Sequence, residues 1–130
     1  MNVALVDTRE ELFLGLNGEG KRVDVLSGYP KREGIEIATR VMAPDVIVCD
    51  EIGTDEADEL LYSSNCGVVT VASAHAGSLF ELLHRKGMRE LYEAGVFDYY
   101  VGISRRCDAV GFDYDIVSRK EADAVLKDSW

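Results

Sequence analysis

The chain is poor in positive charge. Only 14 of its 130 residues are lysine or arginine, against 24 aspartates and glutamates, for a formal net charge of −10. A dedicated nucleic-acid binder carries a basic face, and a binder of anionic lipid carries a polybasic patch, so the balance fits neither. The acidic residues are spread along the chain, a pattern that keeps a protein soluble and carries no chemistry by itself. Cysteine is scarce as well. Cys49, Cys66 and Cys107 are widely spaced and form no CxxC pair. That usage fits a reducing cytoplasm better than a disulfide framework. No window approaches the roughly 18 apolar residues of a bilayer-crossing helix, so direct membrane insertion is not expected. The start, MNVALVDTREEL, has neither the basic region nor the long apolar stretch of a secretory leader. His75 and His84 stand nine residues apart without HExxH spacing, which speaks against zinc.

What the chain does have is enough apolar content, 47%, for a real core in one domain spanning residues 1–130. Three apolar runs share one design. Val3 to Val6 ends in Asp7, Val46 to Cys49 ends in Asp50 and Glu51, and Val68 to Ala72 ends in Ser73 and His75. Each run is too short for a helix and suits a strand buried on both faces. Each is followed by a segment with helical features, so the order reads as βα units in a mostly parallel sheet. Parallel strands bring their carboxyl ends to one edge, where open α/β sheets bind ligands.

The stretch from Gly15 to Gly34 reads as loop. Ile35 to Met42 reads as a helix with Ile35, Ala38 and Met42 on one stripe and Ile37 and Val41 beside it, ended by Pro44. Thr54 is a plausible cap for the next helix, whose Ala57, Leu60 and Leu61 would face the sheet. Ser78 with Glu81 forms a capping-box pattern ahead of Leu79, Leu82 and Leu83. Met88 to Ala94 ends at Gly95. Tyr99–Ile103 and Val110–Val117 are β-prone and predict an antiparallel edge hairpin, with a last helix over Glu121–Lys127.

The chemistry concentrates at the strand ends. Asp50-Glu51 after an apolar run is the pattern nucleotide hydrolysis uses: one carboxylate holds Mg²⁺ and the other orients the attacking water. An ordinary acidic loop gives the same two letters. Asp7, with Glu10 and Glu11 near it, either helps hold a metal-bound water or caps the next helix. His75 leaves its strand through a turn, where it either senses a phosphate or is structural. His84, beside Arg85 and Lys86, reads as a surface residue. The Gly28–Gly34 loop, with Lys31 and Arg32, and Arg40 beyond it supply positive charge near the acidic end. Arg40 either reaches phosphate, in its own or a neighbouring subunit, or is a solvated helix cation.

The segment GYPKREGIEIATRVMAPDVIVCDEIGTDEADEL, followed by GVVTVASAHAGSLFELLHRKGMRELYEAGVFDYYVGIS, resembles the stage III sporulation protein AA family. The similarity runs from about Val3 to about Ile103. It implies an α/β fold, a RecA-like P-loop NTPase core related to type II and type IV secretion ATPases. It also implies a cytoplasmic motor, peripheral to a membrane complex, that uses ATP and Mg²⁺. The expected partners are other subunits of a ring and membrane-channel sporulation proteins. Asp50 and Glu51 then match Walker B, with Asp50 on the metal and Glu51 catalytic. VDTREEL is similar to the acidic box, placing Asp7 with Glu10 or Glu11 in that role. His75 matches the histidine box, with Ser73 beside it on the nucleotide side. Arg40 is similar to the arginine ahead of the Walker B strand, although it lies one residue further from the proline. Family members carry a GxxxxGK loop ending in Ser or Thr upstream of the VALVD strand. No GK followed by Ser or Thr occurs in these 130 residues. The chain by itself is therefore expected not to hydrolyse ATP, as one half of a split enzyme or as a binding or scaffold remnant, the phosphate loop being supplied by another chain, cut away or lost. Two other readings stand beside this one: a small metal-dependent phosphoester hydrolase built on Asp7, Asp50 and Glu51, and a non-catalytic interaction domain.

Overall fold

The computed structural model describes residues 1–7, 23–105 and 110–127. Four short strands form a parallel sheet in the order β2-β1-β3-β4. They are β1 (Val3–Asp7), β2 (Val23–Ser27), β3 (Val46–Cys49) and β4 (Val69–Ala72). The register aligns Val6 of β1 with Cys49 of β3, and Cys49 with Ala72 of β4. The three polar strand ends expected from sequence therefore meet at one edge. β2 lies inside the stretch expected to be loop, pairing Val3 to Asp7 with Val23 to Ser27.

Helices α1 (Lys31–Ile37), α2 (Ala57–Asn65) and α4 (Lys86–Glu93) supply apolar side chains that pack with one face of the sheet. Ile35, Ile47, Leu60 and Leu91 are fully buried in this core, with Cys49, Ala57 and Met88 nearly so. Gly87 makes the close approach of α4 possible, because a Cβ there would lie 2.8 Å from the Thr54 Cα. A π-turn over Ala38–Met42 extends α1 and ends at Ala43 in the left-handed region, at φ 43°. The wider turn rotates the stripe. Ile35 and Ala38 are buried as expected, whereas Val41 is turned out and 76% exposed. Helix α2 is entered through a tight turn at Thr54–Glu56, where the Gly53 N–H donates to Glu56 Oε2 over 2.8 Å. The cap is thus one residue earlier than Thr54.

Helix α3 (Leu79–His84) starts as its sequence predicts. The Glu81 N–H donates to Ser78 Oγ, and Glu81 Oε2 accepts from the Gly77 N–H. After Gly95, at φ 73°, the chain forms an antiparallel hairpin of β5 (Tyr99–Arg105) and β6 (Phe112–Ser118). The hairpin is a two-stranded sheet of its own. Its inner side, through Tyr100 and Val117, packs with Leu83, Tyr92 and the last helix, α5 (Arg119–Lys127). Its outer side presents Tyr99, Val101 and Ile103 opposite Ile116 and Tyr114, all of them exposed. Among the described residues no helix is long and apolar enough to cross a membrane.

Candidate functional site

The carboxyl edge of the sheet gathers Asp7 from β1, Asp50 and Glu51 after β3, and Ser73 and His75 after β4. Asp7 is fully buried at the last position of its strand. Glu10 and Glu11, its expected companions, lie outside the described residues. Asp50 is 8% exposed, and its Oδ1 is buried without a hydrogen-bond partner. A desolvated carboxylate oxygen in that state costs free energy unless a cation serves it. Among the described residues, Lys31 brings its Nζ to 3.9 Å from this oxygen. Lys31 also donates a hydrogen bond to the Glu51 carbonyl. The basic residue expected in a loop thus opens helix α1 and points into the acidic edge.

Glu51 sits on a bent backbone at φ 34°. That left-handed conformation disfavours a residue with a Cβ, and such outliers cluster at functional turns. Besides the Lys31 bond to its carbonyl, contacts to the β4 exit hold it. Its N–H donates to Ser73 Oγ over 3.0 Å, the following Ile52 N–H donates to the Ser73 carbonyl over 2.8 Å, and its Oε1 lies 3.1 Å from His75 Nε2. The carboxylate is thereby aimed along the edge and remains about one-third exposed, beside a mostly exposed His75. Ser73, expected on the nucleotide side, accepts the Glu51 N–H with its Oγ. Glu51→Gly should relieve the backbone strain and raise the unfolding free energy by about 0.5–1 kcal/mol. Urea denaturation measures this, and a comparable loss of stability would show that the Glu51 side chain is structural.

An open cleft of about 500 Å³ lies against this edge, lined by Glu51, His75, Arg85 and the Gly53–Glu56 turn. Arg85, unremarked in sequence beyond its neighbourhood to His84, brings a guanidinium to the cleft wall, where it pairs with Glu81 at 3.3 Å. His84 faces solvent, with its ring against Phe80.

Arg40 does not join this group. Helix α1 begins where β2 ends and its π-turn finishes where β3 begins, so it runs antiparallel to the strands. Lys31 is therefore at the carboxyl edge and Arg40 at the opposite one. Arg40 pairs with Glu36 at 3.4 Å and lies over the Tyr62 ring at 5.2 Å. Within its own chain it is the solvated helix cation.

The parallel sheet, carboxylate-ended strands and separate hairpin make a mixed α/β fold similar to that of a solved secretion ATPase. The VirB11 ATPase of the Brucella suis type IV secretion system, solved in complex with sulphate, matches it with a TM-score of 0.68 over 94% of this chain and 43% of that one, at 18% identity. The family model for sporulation stage III, protein AA, matches residues 1–117, and the chain belongs to that family. Stage III sporulation protein AA of Bacillus subtilis (strain 168) is 37% identical in a 111-residue alignment that covers 81% of this chain. The chain spans 36% of that relative's length.

Proposed function

We propose that the chain is the Walker B half of a sporulation secretion-type ATPase core, acting as one domain. Asp50 is its Mg²⁺ ligand and Glu51 its water-orienting carboxylate. The observation that carries this reading is the buried Asp50 Oδ1 without a hydrogen bond at the ligand-binding edge of the sheet. A hard, ionised oxygen of that kind suits Mg²⁺, which proteins hold through one or two carboxylates while phosphates and water complete the shell. Asp50 would hold the metal, which would supply positive charge to offset that of the phosphates. Glu51 accepts a hydrogen bond from an attacking water, and His75 fixes the Glu51 rotamer. Asp7 adds negative charge to the metal side of the edge. Among the described residues no group of three or more His, Cys, Asp or Glu is arranged to hold a metal ion. A self-sufficient carboxylate cage, as a metal-dependent phosphoesterase would need, is therefore the weaker reading.

The phosphate-cradling half comes from another segment or another chain. Parallel sheets are covered on both faces, yet Val69 and Val71 of the terminal strand β4 are 60% and 55% exposed. That uncovered strand supports a partner that completes the sheet, within a homo-oligomer working beside membrane-channel sporulation proteins. The 130 residues alone should show no Mg²⁺-dependent ATP hydrolysis in a coupled phosphate-release assay. Turnover that vanishes in both Asp50→Asn and Glu51→Gln would overturn the need for a second half.

A further inference from the structure

We propose that Lys31 makes this site discriminate a metal–phosphate pair from a bare divalent cation. The inference rests on the reading of Asp50 as the metal ligand. Lys31 is the first residue of α1, and its side chain is only 13% exposed. Its ammonium is held in place by the Glu51 carbonyl, 3.9 Å from the Asp50 oxygen that has no hydrogen bond. It also lies near enough to Cys49 to act on that thiol electrostatically. The ammonium thus serves as the counter-ion of Asp50 in the ligand-free site.

A divalent cation on Asp50 Oδ1 would sit about 2 Å from that oxygen, and so within a few ångströms of Lys31 Nζ. Two cations at that spacing in a half-buried site repel strongly. A bare metal must therefore displace the ammonium, and no new anion compensates it. A metal arriving with a phosphate brings the missing anion. The ammonium then rotates from Asp50 to a phosphate oxygen, for which a lysine is a suitable point charge. Lys31 opposes the first species and supports the second.

The test uses the full chain with two probes, Mn²⁺ alone and Mn²⁺ with inorganic pyrophosphate. Binding is followed by loss of the free Mn²⁺ paramagnetic resonance signal. Lys31→Met is expected to bind bare Mn²⁺ about fivefold tighter than the unmutated chain and Mn²⁺–pyrophosphate about fivefold more weakly. Lys31→Arg should keep both affinities. Equal affinity of Lys31→Met and the unmutated chain for bare Mn²⁺, absence of binding to both, or an unweakened pyrophosphate complex each overturns the inference. Asp50→Asn separates this from the functional reading: if it binds Mn²⁺ as well as the unmutated chain, Asp50 is not the ligand and the proposed function fails on its own. Should Lys31→Met not fold, acetylation of Lys31 in the unmutated chain decides, read by mass spectrometry. Bare Mn²⁺ should raise its rate about threefold by freeing the amine, and an unchanged rate overturns the inference.

Discussion

Cys49 is expected to react with Ellman's reagent at pH 8 about a thousandfold more slowly than Cys66. The two cysteines differ in environment. Cys66 follows helix α2 on the surface, whereas Cys49 is the last residue of β3 and 2% exposed. Burial pushes the Cys49 thiol up to about 12, an effect reinforced by Asp50 and Glu56 and reduced by Lys31. At pH 8 a thiol titrating near 12 is ionised about once in 10⁴, against about a tenth for a thiol at the ordinary value of 9.0. Thiolate is the reacting species, so the ratio is about 10³ before steric shielding is added. A Cys107→Ser background leaves the two sites to compare, and comparable rates would mean that β3 is not buried. The same burial sets a pH dependence. Above the ordinary value of 9.0 the unfolded chain loses this proton while the folded one keeps it. This contribution is whole below pH 9 and declines as pH rises towards 12, by about 1 kcal/mol at pH 10.

The same strand illustrates what was legible in the sequence. Val46 to Cys49 is a buried run closed by Asp50-Glu51, and both its identity and its position at the site edge follow from pattern. The parallel arrangement followed too, because three such runs alternate with helical segments. β2 was hidden. Val23, Asp24 and Val25 are part-buried or exposed, and only Leu26 is buried, so the strand lacks the apolar run that marked the others. Its identity comes from pairing with β1, a long-range fact that no local window contains. Lys31 was hidden for a related reason. Pro30 fixes the chain for a helix start, which turns an expected loop lysine into a residue aimed at Asp50.

Features of the site that no local pattern carries have equally physical causes. A left-handed φ at Glu51 cannot be read from a glutamate, since glycine is the residue that marks such turns. Ser73 was expected on the nucleotide side, and its Oγ also accepts the Glu51 N–H, a contact that no local window contains. Arg40 lies nine residues after Lys31 and close to β3 in sequence. The helix axis nevertheless separates the two cations across the sheet. Closeness to β3 in sequence does not put Arg40 at the carboxyl edge of its own chain, because α1 runs back against the strands.

Glu51→Gln should lower single-turnover ATP hydrolysis about 10²- to 10³-fold once a polypeptide carrying the phosphate loop completes the core. A glutamine at this position keeps the size of the side chain but cannot accept a water proton's hydrogen bond with the strength of a carboxylate. On the proposed reading, in which the imidazole works by fixing Glu51 through the 3.1 Å contact, His75→Ala should cost about tenfold. The two changes together should cost no more than Glu51→Gln alone. Residues that act as a unit are non-additive, and a histidine with nothing left to position contributes nothing further. The completing polypeptide can be taken from the part of the Bacillus subtilis relative that this chain does not span. Rapid quench measures the chemical step apart from product release. Additive losses, with the double variant about tenfold below Glu51→Gln, would mean that His75 acts directly on the nucleotide. A Glu51→Gln variant as fast as the unmutated chain would remove Glu51 from the chemistry and leave its strained turn with a structural role only.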